Sequence, residues 1–326
     1  MCGPGRLQPD TNRIGPDACL ANLTAVRNTS ARRLTAEASA ALKQCLIHGS
    51  TSVESKSGAA LNGPGEAKLM RVLSLLADLP LEVVATFYGA HTTPPEFDDP
   101  ERYIDFLCAE LLPSTVCRGV ARFVDGHAGA FGAKRLIPYF QKAQELKFDL
   151  KLTASQFDKC DGLELLDRFP FTSVSGLEYA EAPEIERLGA AGVMAVLTPA
   201  LSFFLKTRRP PAREMINWGV AVAIASGFNR FTAPTCNMQM AIFLACHELG
   251  MTPAEAISAA TINAAHAIKM AHRLGSLEAG KQADLLILNM GDYRELGHEF
   301  GINRVSTAVK RGSVVLDSSG VKWPAD

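Results

Sequence analysis

Short apolar runs alternate with amphipathic stretches along most of the chain. Seven runs read as strands: 51–56, 81–91, 119–126, 148–155, 171–179, 192–199 and 219–227. Between and after them, apolar residues recur at helical spacing over 31–48, 66–78, 100–112, 133–146, 182–189, 211–216, 235–249 and 252–275. The last of these opens with Thr252-Pro253-Ala254-Glu255, an N-cap followed by proline and, three residues on, a glutamate. Apolar strands separated by helices imply a parallel sheet covered on both faces, and seven units in series favour a (β/α) barrel over an open doubly wound sheet.

After Gly275 the rhythm changes. Residues 283–290 and 305–317 read as strands without a long helix between them, the second pair turning at Lys310-Arg311-Gly312-Ser313. We therefore expect an irregular segment over 1–30, a barrel over 31–280 and a small C-terminal β segment over 281–326. Residues 1–30 hold no convincing strand, so the α/β fold is expected as a (β/α)8 TIM barrel whose first strand is missing. An open barrel leaves unpaired strand edges that invite a partner.

Composition narrows the classes. Apolar residues make up 47% of the 326, and the net charge is −1 with no basic tract, so no nucleic-acid partner is expected. No apolar run reaches the length of a membrane span, and the N-terminus lacks the apolar core of a secretory signal. A cytoplasmic protein is expected, with an organellar one as the alternative. The eight cysteines form no C-x-x-C pair, and Cys45, Cys108 and Cys246 sit in apolar helical settings, where buried free thiols are expected.

Five segments carry a resemblance: "HGSTSVESKSG", "TFYGAHTTPPEF", "YIDFLCAELLP", "AGVMAVLTPA" and "TINAAHAIKMAHRLGSLEAGKQADLLILN". Together they resemble imidazolonepropionase, a member of the metal-dependent amidohydrolase superfamily that acts in histidine breakdown. The resemblance implies an amidohydrolase-type barrel and a β-sandwich built from both chain ends. It also implies one zinc or iron in the barrel mouth, activating the water that opens the imidazolone ring to N-formimidoyl-glutamate.

Against that pattern, the residues at the chemical positions differ. Where the family places a metal-binding histidine, this chain has Thr153, followed by Ala154, Ser155 and Gln156. A threonine hydroxyl is a poor substitute for imidazole on zinc or iron. Gly176 stands where the family has an oxyanion-stabilising histidine, and Gly227 where it has a metal-binding aspartate. Asn229 is kept, Arg230-Phe231 replaces Pro-Gly, and a pocket tyrosine becomes Ala59. The family's His-x-His pair belongs to a strand preceding this chain, and no such pair occurs in the sequence.

Other chemistry is sparse. His91 ends the "TFYGAH" strand, where the family binds substrate, and His127 follows "VDG"; with Asp125 they are the weak candidates for a metal. His247, His266, His272 and His298 read as helix or loop residues. Glu54 and Lys56 share one strand face and are expected as a buried ion pair, or as part of a remnant substrate pocket with His91, Gln156 and Asn229.

The reading that results is a catalytically inactive pseudoenzyme, serving as a structural or partner-binding subunit and needing no cofactor. A protein partner or a second copy of the chain would cover the barrel edges. The alternatives are an active cyclic-amide hydrolase with a substitute or shared metal site, and a sensor of a small carboxylate or imidazole ligand.

Overall fold

The computed structural model of the chain describes residues 16–324. All seven expected strands form: β1 (Ser52–Lys56), β2 (Glu82–Ala90), β3 (Ala121–His127), β4 (Asp149–Ser155), β5 (Phe171–Leu177), β6 (Met194–Leu197) and β7 (Val222–Ile224). They pair in parallel in strict chain order, β1 to β7. The result is a curled parallel sheet with helices outside it. Among the described residues β1 pairs only with β2 and β7 only with β6, so each leaves one edge unpaired.

The expectation of an irregular 1–30 segment needs correction. Residues 1–15 lie outside the described part, but α1 runs over Pro16–Asn28. Its leading proline and polar residues hid the pattern, yet Leu23 is buried in the main core. The helix also ends on a partner no local rule supplies: Lys68 Nζ donates to the carbonyls of Val26, Arg27 and Thr29 at 2.8, 2.8 and 2.7 Å. These carbonyls lie at the helix end, where acceptors lack intrahelical donors; Val26 O also receives Thr29 N at 3.3 Å.

The helices that follow are α2 (Ala31–Ile47), α3 (Gly63–Leu75), α4 (Pro100–Phe106), α5 (Leu112–Val116), α6 (Ala128–Phe131) and α7 (Ala133–Glu145). A π-turn at Leu107–Leu111 joins α4 to α5. Then come α8 (Ala182–Ala191), α9 (Pro199–Leu205), α10 (Ala212–Asn217), α11 (Met238–Leu249), α12 (Pro253–Ala260) and α13 (Ile262–Ala267). In α7 the buried residues are Ala133, Leu136, Tyr139, Phe140 and Ala143, at helical spacing on one face. The long helix expected over 252–275 breaks at Thr261, whose ψ of −91° leaves the helical region.

That break matters for the barrel. It turns α13 and the chain after it under the sheet, where Ile262, Ala265, Ile268, Met270, Ala271 and Leu274 pack on Val84 and Phe123. The barrel floor is thus plugged by apolar residues of the chain's own last quarter. The remaining strands, β8 (Leu285–Leu288), β9 (Val305–Lys310), β10 (Ser313–Asp317) and β11 (Gly320–Val321), form a separate antiparallel sheet. Glu82 at the start of β2 receives Arg273 at 2.8 Å and Arg311 at 2.9 Å, fastening this sheet and the plug to the barrel floor.

Candidate functional site

Alternation along a strand sends every second side chain inward. On β1 these are Glu54 and Lys56, which share a face as expected but do not pair with each other. Glu54 Oε2 accepts from Lys151 Nζ at 2.7 Å and its Oε1 accepts from Thr86 Oγ1 at 2.5 Å. Lys56 Nζ donates to Asp125 Oδ2 at 2.5 Å. The correction has a simple cause. Residues two apart on a strand stand roughly 6.6 Å apart, so each charge finds an opposite charge on another strand. Because β1 and β4 are not neighbours in the sheet, the Glu54–Lys151 bond crosses the barrel interior.

Two polar layers result. The lower one holds Glu54, Thr86 and Lys151, with Lys151 Nζ 4.5 Å above the Phe123 ring. The upper one, toward the strand C-terminal ends, holds Lys56, Asp125, Thr153 and Ser175. Thr153 Oγ1 lies 3.3 and 3.4 Å from the two Asp125 oxygens and 3.2 Å from Ser175 Oγ. Lys56 Nζ also sits 4.7 Å over the Tyr88 ring. Burial pushes the Glu54 carboxyl up, but Lys151, Lys56 and its hydrogen bonds outweigh that and hold it below the usual range. Burial pushes Lys151 down, incompletely offset by Glu54, and lifts the Tyr88 phenol to about 12.

Burial lowers the pKa of the two histidines nearest this network. His91 Nε2 is 2.7 Å from the Gly58 carbonyl, and its ring stacks on Tyr88 with centroids 4.9 Å apart. Its pKa falls, chiefly through burial. His127 falls further, to about 4, through burial and the neighbouring His91. Its Nε2 is buried without a hydrogen-bond partner.

Gly176 and Gly227 sit in a backbone conformation that favours glycine, with φ angles of +68° and +61°. A Cβ on Gly176 would stand 3.1 Å from the Ser155 backbone nitrogen, and one on Gly227 3.0 Å from Thr198 Cγ2. The backbone has settled where a histidine or aspartate would be strained.

Of the other residues expected in a remnant pocket, Gln156 is half-buried just beyond β4. Asn229 is on an exposed turn, its Oδ1 accepting from Phe231 N at 2.9 Å and its backbone bridging Ala233. It takes no part in the interior network.

The donor set does not fit a zinc or iron centre. Among the described residues no group of three or more His, Cys, Asp or Glu side chains is arranged to hold a metal. Asp125 is neutralised by Lys56, and His91 is committed to Gly58. His127 Nε2 is left without a hydrogen bond.

Sequence reasoning passed over Glu178, just beyond β5. Its residue is 1% exposed, Oε1 accepts from Ser202 Oγ at 3.3 Å, and Oε2 has no partner. Burial lifts its pKa to about 7. Its place in the "GLEY" end of a strand carries no local signal that marks it.

Comparison with known proteins places these features in context. The model of the amidohydrolase family matches residues 138–315. An imidazolonepropionase of Geobacillus kaustophilus is 38% identical over 305 residues, covering 92% of this chain and 72% of that protein. One from Treponema denticola is 39% identical over 298 residues, covering 90% and 72%. Among solved structures, a zinc-bound adenosine deaminase from Xanthomonas campestris superposes with a TM-score of 0.71 at 16% identity, over 92% of this chain and 74% of that one. An atrazine chlorohydrolase from Arthrobacter aurescens, complexed with zinc, gives 0.71 at 16%, over 98% and 82%. At such identities the structural matches speak for the fold alone.

Proposed function

The chain belongs to the imidazolonepropionase family of amidohydrolases, and from that membership we propose that it is a non-hydrolytic member whose barrel serves as a partner-binding scaffold. The observation that carries this is the upper polar layer. At the position where the family ligates its metal, Thr153 is bonded to Asp125 and Ser175, and the charge of Asp125 is answered by Lys56 rather than by a metal ion. The positive φ at Gly176 and Gly227 supports the same reading, because the backbone there has adapted to the absence of a side chain. The unpaired edges of β1 and β7 are where a partner strand would add, gaining main-chain hydrogen bonds.

A second reading rests on a different observation. His127 keeps an unpartnered, buried ring nitrogen at the C-terminal end of β3. A further polypeptide segment bringing more histidines against it would complete a hydrolytic site. One experiment separates the two: metal content per chain, on protein purified without chelator, with turnover of imidazolone propionate assayed on the same sample. The scaffold reading expects neither stoichiometric zinc or iron nor turnover. Turnover that depends on bound metal and is lost in His127→Ala overturns it.

A further inference from the structure

Where β6 and β7 open into the barrel mouth, aromatic rings stand in water. After β6, α9 turns Phe204 inward against Leu201, Leu205 and Ala233, while its neighbour Phe203 is 50% exposed. After β7, Phe228 and Phe231 are 40% and 51% exposed. Ala233 belongs to that same loop, so the loop packs on α9 and the three exposed rings lie on two joined segments. The loop is not slack. Asn229 and Ala233 exchange both backbone hydrogen bonds at 3.0 Å, and Asn229 Oδ1 accepts from Phe231 N at 2.9 Å. Phe231 thus sits on a closed hairpin, where a partner has little ordering cost to meet. Measured against the family pattern, the loop that carries Gly227 instead of an aspartate also carries Arg230-Phe231 instead of Pro-Gly.

Charge singles out the occupant. Lys206 caps α9, and Arg208 follows with its guanidinium 5.5 Å over the Tyr179 ring. The ion pairs of this region join Lys159 to Glu181 and Arg209 to Glu248; among the described residues Lys206 and Arg208 make none. Arg230 reaches Glu37 only at 4.0 Å. Under-neutralised cations therefore surround the exposed rings, on a chain whose net charge is −1.

We propose that Phe203, Phe228 and Phe231, with Lys206, Arg208 and Arg230, form a docking surface for an acidic polypeptide segment carrying apolar anchors. The rings take the anchors, and the cations take the carboxylates that flank them. Aromatic and arginine side chains are the ones on which interface hot spots draw. A nucleic acid or an anionic membrane fits less well. Three cations outside any basic tract neutralise few phosphates, and two short segments offer no extended apolar helix face to lipid. The surface names the partner class of the scaffold reading and rests on that reading.

The test is fluorescence anisotropy of the full chain with a labelled peptide of repeated Glu-Asp-Leu-Phe units. One control peptide has lysine for both acids, and another has serine for both apolar residues. Saturable binding of the first is expected, about tenfold weaker for either control and weakening steadily with added salt. Phe203→Ser combined with Phe231→Ser is expected to lose about tenfold in affinity at an unchanged melting temperature. Lys206→Glu combined with Arg208→Glu should turn the preference toward the lysine peptide, a gain that a damaged fold cannot imitate. No saturable binding of the acidic peptide, equal binding of the lysine peptide, or indifference to both variants overturns the proposal. So does binding of oligouridylate or of phosphatidylserine vesicles that is lost in the phenylalanine variant while the peptide is ignored. The two readings fail separately. Metal-dependent turnover sinks the scaffold reading whatever the peptide does, and a metal-free, inactive chain that ignores the acidic peptide sinks this surface alone.

Discussion

Glu54→Gln isolates one ammonium inside the barrel. The Lys151 side chain is 3% exposed, and Glu54 is its only direct ionic partner among the described residues, at 2.7 Å. The charged Lys151 would lose an attraction of roughly 6 kcal/mol at an effective dielectric of 20. It has an escape, because releasing its proton at pH 7 costs about 4.6 kcal/mol from a reference pKa of 10.4. The cheaper route sets the ceiling, so the variant is expected to lose about 3–5 kcal/mol of stability at pH 7. The same arithmetic gives a ceiling of about 2 kcal/mol at pH 9, where the cost of deprotonation has fallen by more than half. Urea unfolding at both pH values measures this. Changing Lys151→Met in the same chain removes the stranded charge and should recover most of the loss. A cost below about 1 kcal/mol at pH 7, or one that does not shrink at pH 9, would refute the account of a dry interior pair.

Three further outcomes are expected. The Glu178 carboxyl has a folded pKa raised by burial to about 7, so its stabilising contribution is complete below its unfolded value and is lost as pH rises through 7. Glu178→Gln should therefore match the parent near pH 4.5 and exceed it by up to about 3 kcal/mol at pH 8, read from thermal unfolding across pH; parallel curves would count against it. Gly176→Ala and Gly227→Ala are each expected to cost about 1–3 kcal/mol, because each forces a Cβ into a left-handed conformation, and a gain in melting temperature would be the contrary result. Lys68→Met removes the lysine donor from three carbonyls, of which Val26 O keeps Thr29 N, and should lower stability by about 1–3 kcal/mol. Amide exchange at the end of α1 should rise more than exchange in β4; uniform protection across both would show that the lysine is not the clasp.

The barrel was legible in the sequence because each strand is an apolar run and each helix carries its own periodicity. Val124, Leu150, Leu152 and Val174, all buried, mark their strands without any knowledge of neighbours. The site was legible one residue at a time. Thr153, Gly176 and Gly227 could be recognised as departures from a family pattern, yet their present conformations could not. A positive φ leaves no trace in a single glycine, which serves a turn, a strand or a close approach alike. The interior partners were hidden for a different reason. Lys151 and Glu54 are 97 residues apart and meet only when the sheet curls, so no local spacing relates them. Charge pairing in a barrel depends on which layer each residue occupies, and layers are set by register between strands.

The apolar floor has a consequence for the order in which the chain is made. Val84 and Phe123 lie on strands that leave the ribosome early, while their cover at 262–274 follows some 140–190 residues later. At a synthesis rate of about 10 residues per second, that interval is roughly 14–19 s. For that time the nascent chain holds an unplugged interior in which two greasy side chains and a ring of charged ones face water together. A chaperone that engages nascent chains would meet this barrel open-bottomed, and premature release would yield a sheet able to curl around the wrong segment.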